Sequence, residues 1–181
     1  YINASPIDTL GNGLPDVVAT MCPKRATFQH FWAMCWELRT ATVVNLTHAV
    51  DAVGSGDADK RERYWPPFEP ALAREARTWP VRVATLGCAT CTTVPGLRRY
   101  TIELSASGEV RRLHLYWYSQ WSDFPASSSI GSRQYYDNAW NVLRVAVHLD
   151  RKLRAGEPAE QWPVCHCSAG VGRTGTLLAL L

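Results

Sequence analysis

The segment His166-Cys167-Ser168-Ala169-Gly170-Val171-Gly172-Arg173-Thr174-Gly175 puts a thiol and a guanidinium six residues apart across a run of small residues. Such a thiol is mostly protonated at neutral pH, because its ordinary pKa is about 8.5. A helix N-terminus and a neighbouring cation stabilise the thiolate, and that makes Cys167 a candidate nucleophile. Ser168, Ala169, Gly170, Val171 and Gly172 are small enough to let successive backbone N–H groups turn inward on an anion. Arg173 would add a bidentate grip on two oxygens of a phosphate dianion. The Thr174 hydroxyl is placed to donate to the Cys167 sulfur. His166 is read as tuning the cysteine from behind, because the turn points its side chain away from the cradle. Cys165 is read as an inert core thiol on the opposite face of the strand from Cys167.

This chemistry needs a strand that ends at the cysteine and a helix that starts at the arginine. Pro163 to Cys167 reads as a short buried strand, and the apolar run from Thr176 to Leu181 as the body of a helix that begins near Gly172. Upstream, Phe28, Phe31, Trp32, Cys35 and Leu38 recur at helical spacing. Phe31, Trp32, Trp36 and Trp65 are expected in the core. Residues 41–46 read as a strand, and residues 81–86, 100–104 and 110–118 as three more, separated by Gly and polar turns that suggest antiparallel pairing. Ser132 is a plausible N-cap for a long helix through Arg154, stopped at Gly156, with Tyr136, Ala139, Trp140, Leu143, Val147 and Leu153 as its apolar face. The polar stretch 51–63 reads as a solvated loop.

The bulk composition agrees with one α/β domain. The chain has 181 residues, of which 46% are hydrophobic, enough for one sizeable core and not enough to require two. A net charge of +3 is far from the basic stripe of a nucleic-acid binder, and no nucleic-acid partner is expected. No apolar run approaches the length of a membrane span, and there is no signal-peptide pattern. The six cysteines sit in a chain too well supplied with apolar residues to need disulfides, which points to a reducing, cytoplasmic setting. Cys88 and Cys91 form a C-x-x-C that could bind zinc or cycle redox, but no second ligand pair at metal spacing follows. No metal and no cofactor are expected. The chain begins at Tyr1 and stops inside an apolar run, so residues 1–181 read as a single domain cropped from a longer protein.

The segment 166–175 resembles, without a gap, the His-Cys-x-x-Gly-x-x-Arg-Ser/Thr-Gly signature of the protein tyrosine phosphatases. Tyr1-Ile2-Asn3-Ala4-Ser5 is similar to that family's YINAS segment, and Thr20-Met21-Cys22-Pro23 to its TQGP. Phe31-Trp32 with Trp36-Glu37 resembles its FW and WE pairs, and Tyr64-Trp65-Pro66 its YWP. These segments occur in the family's order. The resemblance implies a twisted mixed sheet flanked by helices, and hydrolysis of protein phosphotyrosine through a cysteinyl-phosphate intermediate. It also implies a general acid, carried in the family on a WPD loop. Asp123, in Trp121-Ser122-Asp123-Phe124-Pro125, is the candidate, and proton delivery to the departing tyrosine oxygen is the task such a carboxyl performs. Ser122 replaces the family's proline, and Phe124-Pro125 is two residues shorter than the family's pattern. Asp51 and Lys60 lie near the position of supporting charged residues in the family, or else belong to a solvated loop.

Three rival readings have different signatures. A catalytically dead phosphotyrosine-binding module would have lost the cysteine, the arginine or the acid. A phosphatase of the same loop chemistry acting on phosphoserine, phosphothreonine or lipids would lack the YINAS, FW and YWP matches. A thiol-transfer enzyme leaves Arg173 without a role.

Overall fold

The computed structural model describes residues 2–9, 13–48, 63–66, 80–121, 133–156 and 161–181, with the side chains of 133–136 and 138 excepted. Ser132 and Tyr136, named above for the long helix, therefore lie outside what is described, as do Asp51, Lys60 and residues 122–125.

Seven strands form one mixed sheet, with order β1-β2-β7-β3-β6-β5-β4. They are β1 (Ala4–Ile7), β2 (Val17–Met21), β3 (Thr42–Asn45), β4 (Arg82–Thr90), β5 (Leu97–Ala106), β6 (Glu109–Tyr118) and β7 (Val164–Cys167). The helices are α1 (Phe28–Glu37), α2 (Arg133–Gly156) and α3 (Gly172–Leu180). The four central strands run parallel, with β7 between β2 and β3 and β3 next to β6. β4, β5 and β6 pair antiparallel, as their alternating patterns and short turns suggested. Ser107 and Gly108 close the β5–β6 hairpin with φ of 52° and 82°, the left-handed pair that a two-residue turn matched to strand twist requires.

Sequence patterning did not single out β1 and β2 as strands. β1 is a short edge strand with mostly exposed side chains and contains Pro6, a residue that weakens any strand signal and is tolerated at an edge. β2 has only five residues, and it becomes a strand by pairing with β7 on one side and β1 on the other.

Alternating residues of the parallel strands feed two cores. On one face Phe28, Phe31, Trp32 and Cys35 of α1 pack on Val18, Val43, Leu115 and Val164, with Tyr64 and Trp65. On the other, Val142, Val145, Ala146 and Leu149 of α2 and Leu177 of α3 pack on Val44, Leu46, Tyr116 and Cys165. The expected core aromatics Phe31, Trp32 and Trp65 are buried, while Trp36 is half-buried.

The face expected for α2 needs correction. Trp140, Leu143 and Val147 are 62%, 39% and 51% exposed, and Ala139 is exposed too. The buried stripe is Val142, Val145, Ala146, Leu149 and Leu153, so Leu153 alone of the described members was assigned to the right side. α2 carries apolar residues at helical spacing on two sides. Periodicity reveals a stripe but not which stripe meets the sheet.

Candidate active site

β7 is buried along its whole length, with its four backbone partners on β2 and its neighbours on β3 fixing its register. Cys167 pairs with Met21 at the last rung, and the chain then turns through Ser168–Val171 into α3. The turn is tied back by the Cys22 N–H, which donates to the Ser168 carbonyl at 3.0 Å. Gly170 has φ +77°, and a Cβ built there would stand 2.4 Å from the Thr20 carbonyl oxygen and 2.8 Å from the Met21 nitrogen. Both the conformation and the close approach to β2 demand glycine. β2 is thus the wall against which the loop is wound.

Cys167 is 1% exposed and closes the strand. Burial pushes its thiol up, but the Thr174 hydroxyl, the backbone N–H groups of Thr174 and Gly170 and the Arg173 charge together outweigh it, leaving the pKa below the ordinary thiol value. Thr174 is fully buried, and its Oγ1 has no nitrogen or oxygen partner among the described residues. It lies against the sulfurs of both Cys167 and Cys165. A hydroxyl so placed stands ready for a developing thiolate. Cys165 shares the α2/α3 face of the sheet with Cys167, which corrects the expectation that the two lie on opposite faces: residues two apart on a strand point the same way. Burial and the proximity of Cys167 drive the Cys165 thiol well above the ordinary range, which disfavours the thiolate.

Arg173 is 3% exposed. Its Nη1 donates to the carbonyls of Leu46 at 3.0 Å and Trp121 at 2.8 Å. The first carbonyl lies one residue past the end of β3 and the second three past β6, so the segments leaving two neighbouring strands orient the guanidinium beside Cys167. Trp121 packs against the α2-side core, and just before it the Ser119 N–H reaches the Gly96 carbonyl at 3.5 Å, while Gly96, at φ +79°, leaves no room for a Cβ against the Gln120 side chain.

His166 points to the other face, as expected, and is fully buried. Its Nδ1 lies 3.1 Å from the Cys167 carbonyl oxygen, and its Nε2 lies 2.7 Å from the Tyr64 hydroxyl. With the ring proton on Nδ1, that N–H donates to the carbonyl and Tyr64 donates to Nε2. Burial lowers the imidazole pKa to about 4; the bond to the Cys167 carbonyl opposes this and the Arg173 charge reinforces it. The ring is neutral at neutral pH and acts as a fixed strut between α1's aromatics and the loop, in edge contact with Phe31.

Sequence reasoning missed three contributors. Tyr64 was noticed only as part of a motif, and the carbonyls of Leu46 and Trp121 carry no side-chain signature at all. The loop backbone from Ser168 to Gly172, with Ala169, Val171 and Gly172 exposed, forms the rim beside Cys167 and Arg173. Asp123, the candidate acid, lies outside the described residues, two positions beyond Trp121.

Among the described residues no helix is long and apolar enough to cross a membrane. All six cysteines are free thiols.

The whole chain, residues 1–181, matches the family model described as protein-tyrosine phosphatase. Receptor-type tyrosine-protein phosphatase H of Homo sapiens is 33% identical over 183 residues, covering 99% of this chain and 14% of that protein. Tyrosine-protein phosphatase non-receptor type 2 of Rattus norvegicus is 30% identical over 176 residues, covering 97% of this chain and 38% of its own length. A solved structure described as the structural basis of PTPN18 fingerprint on distinct HER2 tyrosine phosphorylation sites superposes with a TM-score of 0.73 at 22% identity, covering 99% of this chain and 56% of that one. This likeness shows the mixed-sheet α/β fold. The chain thus spans well under half the length of these two curated relatives.

Proposed function

The chain belongs to the protein-tyrosine phosphatase family, and from that premise we propose that residues 1–181 carry a catalytic centre that hydrolyses phosphotyrosine in proteins through a cysteinyl-phosphate intermediate. The observation that carries this reading is the pairing, in one loop, of a thiol with a lowered pKa and a buried arginine anchored by two carbonyls.

Cys167 attacks phosphorus in line with the departing tyrosyl oxygen, while the backbone of Ser168, Ala169, Gly170, Val171 and Gly172 and the Arg173 fork carry the charge of the equatorial oxygens. Asp123 delivers the proton to the leaving group, then accepts one from the water that cleaves the sulfur–phosphorus bond. Thr174 stabilises the returning thiolate. His166, pinned by Tyr64, fixes the carbonyl of Cys167 and so the start of the turn. With charge neutralised by Arg173 and the amides, the reaction asks for no metal or cofactor. The partners are phosphotyrosine-bearing proteins in a signalling role, in a cytoplasmic, reducing setting; nothing in the chemistry calls for nucleic acid.

The test is hydrolysis of phosphotyrosine and phosphothreonine peptides by the full-length protein. Phosphotyrosine should be strongly preferred, and Cys167→Ser should abolish turnover while retaining phosphopeptide binding, since a hydroxyl at its ordinary pKa is no anionic nucleophile. Turnover by Cys167→Ser within tenfold of the parent overturns the assignment. Asp123→Asn should lower kcat by roughly 10²–10⁴-fold with little change in KM, the range for a lost general acid. Equal rates on the phosphotyrosine peptide would mean that another group supplies the proton.

A further inference from the structure

A second thiol sits among polar groups far from the phosphate loop. Where β4 ends, the chain turns through residues 91–96 into β5, and this turn, with α2, encloses a hollow of about 270 Å³. Cys91, Thr93, Arg99, Tyr116, His148 and Lys152 line it. The Cys91 Sγ is 3.3 Å from the Thr93 Oγ1 and 3.8 Å from the His148 Nδ1. Arg99 and Lys152 are exposed cations at its mouth, and Cys91 itself is half-buried and within reach of a small reagent. β4 and β7 are separated by β5, β6 and β3, four strand spacings or roughly 19 Å, so this site is separate from the Cys167 cradle.

The Cys88-x-x-Cys91 pattern does not explain the arrangement. Cys88 stands opposite Tyr100 on β5, and Tyr100 belongs to the α1-side core, while Cys91 packs on the α2-side core. The sheet lies between the two thiols, so neither serves as a ready partner for the other.

We propose that this hollow is a modification site at which Cys91 exchanges with a small disulfide bearing carboxylates, of the glutathione class, to form a mixed disulfide. The Cys91 thiolate attacks one sulfur of the reagent, a new sulfur–sulfur bond forms as the old one breaks, and the second sulfur leaves with the electron pair and takes up the proton that Cys91 released. Cys91 is oxidised and the departing half of the reagent is reduced. Thr93 and His148 hold the attacking sulfur in polar surroundings, and Arg99 and Lys152 attract the carboxylates. The thiol's lowered pKa agrees with the geometry: burial raises it, and the hydroxyl and N–H of Thr93, the N–H of Val94 and the Lys152 charge more than reverse that. This chemistry is independent of the phosphatase reading.

The full-length protein is incubated with glutathione disulfide, and each cysteine's adduct is followed by peptide mass mapping. Cys91 should acquire the adduct roughly tenfold faster than the exposed Cys88, a difference set by thiolate character and local charge. The double variant Arg99→Gln/Lys152→Gln should slow Cys91 several-fold more towards glutathione disulfide than towards the neutral bis(2-hydroxyethyl) disulfide, because loss of the Lys152 charge reduces the thiolate for both reagents while only glutathione disulfide also loses the attraction of its carboxylates. Both positions are exposed, and a melting curve checks that the variant keeps its fold. If Cys88 reacts as fast as Cys91, or if removing the two charges slows both reagents alike or neither, the proposal is wrong.

Discussion

The Cys167 cradle and the Cys91 hollow lower a thiol's pKa by different means. At Cys167 the stabilising groups are a buried arginine, two backbone N–H groups and a buried hydroxyl, all fixed by the pairing of β7 with β2 and β3. At Cys91 they are a threonine and two N–H groups of a surface turn, aided by an exposed lysine. Cys165, two residues from Cys167 on the same face, has the Thr174 hydroxyl as its one lowering partner and is pushed up instead by deep burial and by Cys167. Burial by itself therefore raises a thiol, and donors directed at the sulfur decide the sign. Where strand register holds those donors, the effect resists salt and fluctuation; where solvated charges help, it does not.

Arg173→Lys tests the first half of that contrast most severely. Lysine lacks the fork that grips two oxygens and cannot keep both the Leu46 and Trp121 carbonyls in the same geometry. Turnover should fall roughly 10²–10³-fold, the scale for loss of one preorganised donor to a developing charge. Alkylation of Cys167 by iodoacetamide at neutral pH should slow, and that of Cys91 should not change. A parallel slowing at both thiols would mean that the two sites share a common cause.

The histidines extend the comparison. His166 is fully buried behind the cradle with a pKa near 4, against an ordinary 6.5, whereas His148 beside Cys91 is only half-buried. Because the folded pKa of His166 is depressed, its contribution is fully present above about pH 6.5, where neither state binds the proton. Between there and pH 4 the unfolded chain takes up a proton that the folded one refuses, so stability is lost as pH falls. Integrated over that window the loss is about 3 kcal/mol. Denaturant melts of the parent between pH 7 and 4.5 should show this decline. His166→Gln should be less stable at pH 7 yet flatter towards acid, and His148→Gln should change the slope less. An unaltered slope in His166→Gln would assign the acid sensitivity to other groups.

The smallest effect concerns salt. Raising ionic strength from about 0.05 to 0.5 M should slow alkylation of Cys91 two- to fivefold, because exposed charges are screened over a Debye length of a few ångströms to about 14 Å across that range. Cys167 should slow by less, since Arg173 is buried. The reverse order would overturn the distinction between locked and solvated donors.

The central site was legible because its requirements are local. A thiol, small residues and an arginine in 166–175 can do little else together, and strand and helix signals flank them on the chain. The rest was less legible for identifiable reasons. Leu46 and Trp121 act through backbone carbonyls, which any residue offers. Tyr64 meets His166 across a gap of 102 residues. The Cys88-x-x-Cys91 spacing suggested one cluster, and the sheet put the two thiols on opposite faces.

By itself, then, the sequence determined that a thiol, small residues and an arginine stand together in 166–175, the α/β class, and the antiparallel run from β4 to β6, since these depend on residue type and short-range periodicity. Only the tertiary structure decided which stripe of α2 is buried, that β1 and β2 exist as strands, and that β2 forms the wall requiring glycine at 170. It alone gave Cys165 and Cys167 opposite shifts on one face, and gathered Cys91, His148 and Lys152 around one hollow. Those outcomes depend on which segments pair and which faces exclude water. Such choices are made between residues far apart in the chain, where periodicity carries no information.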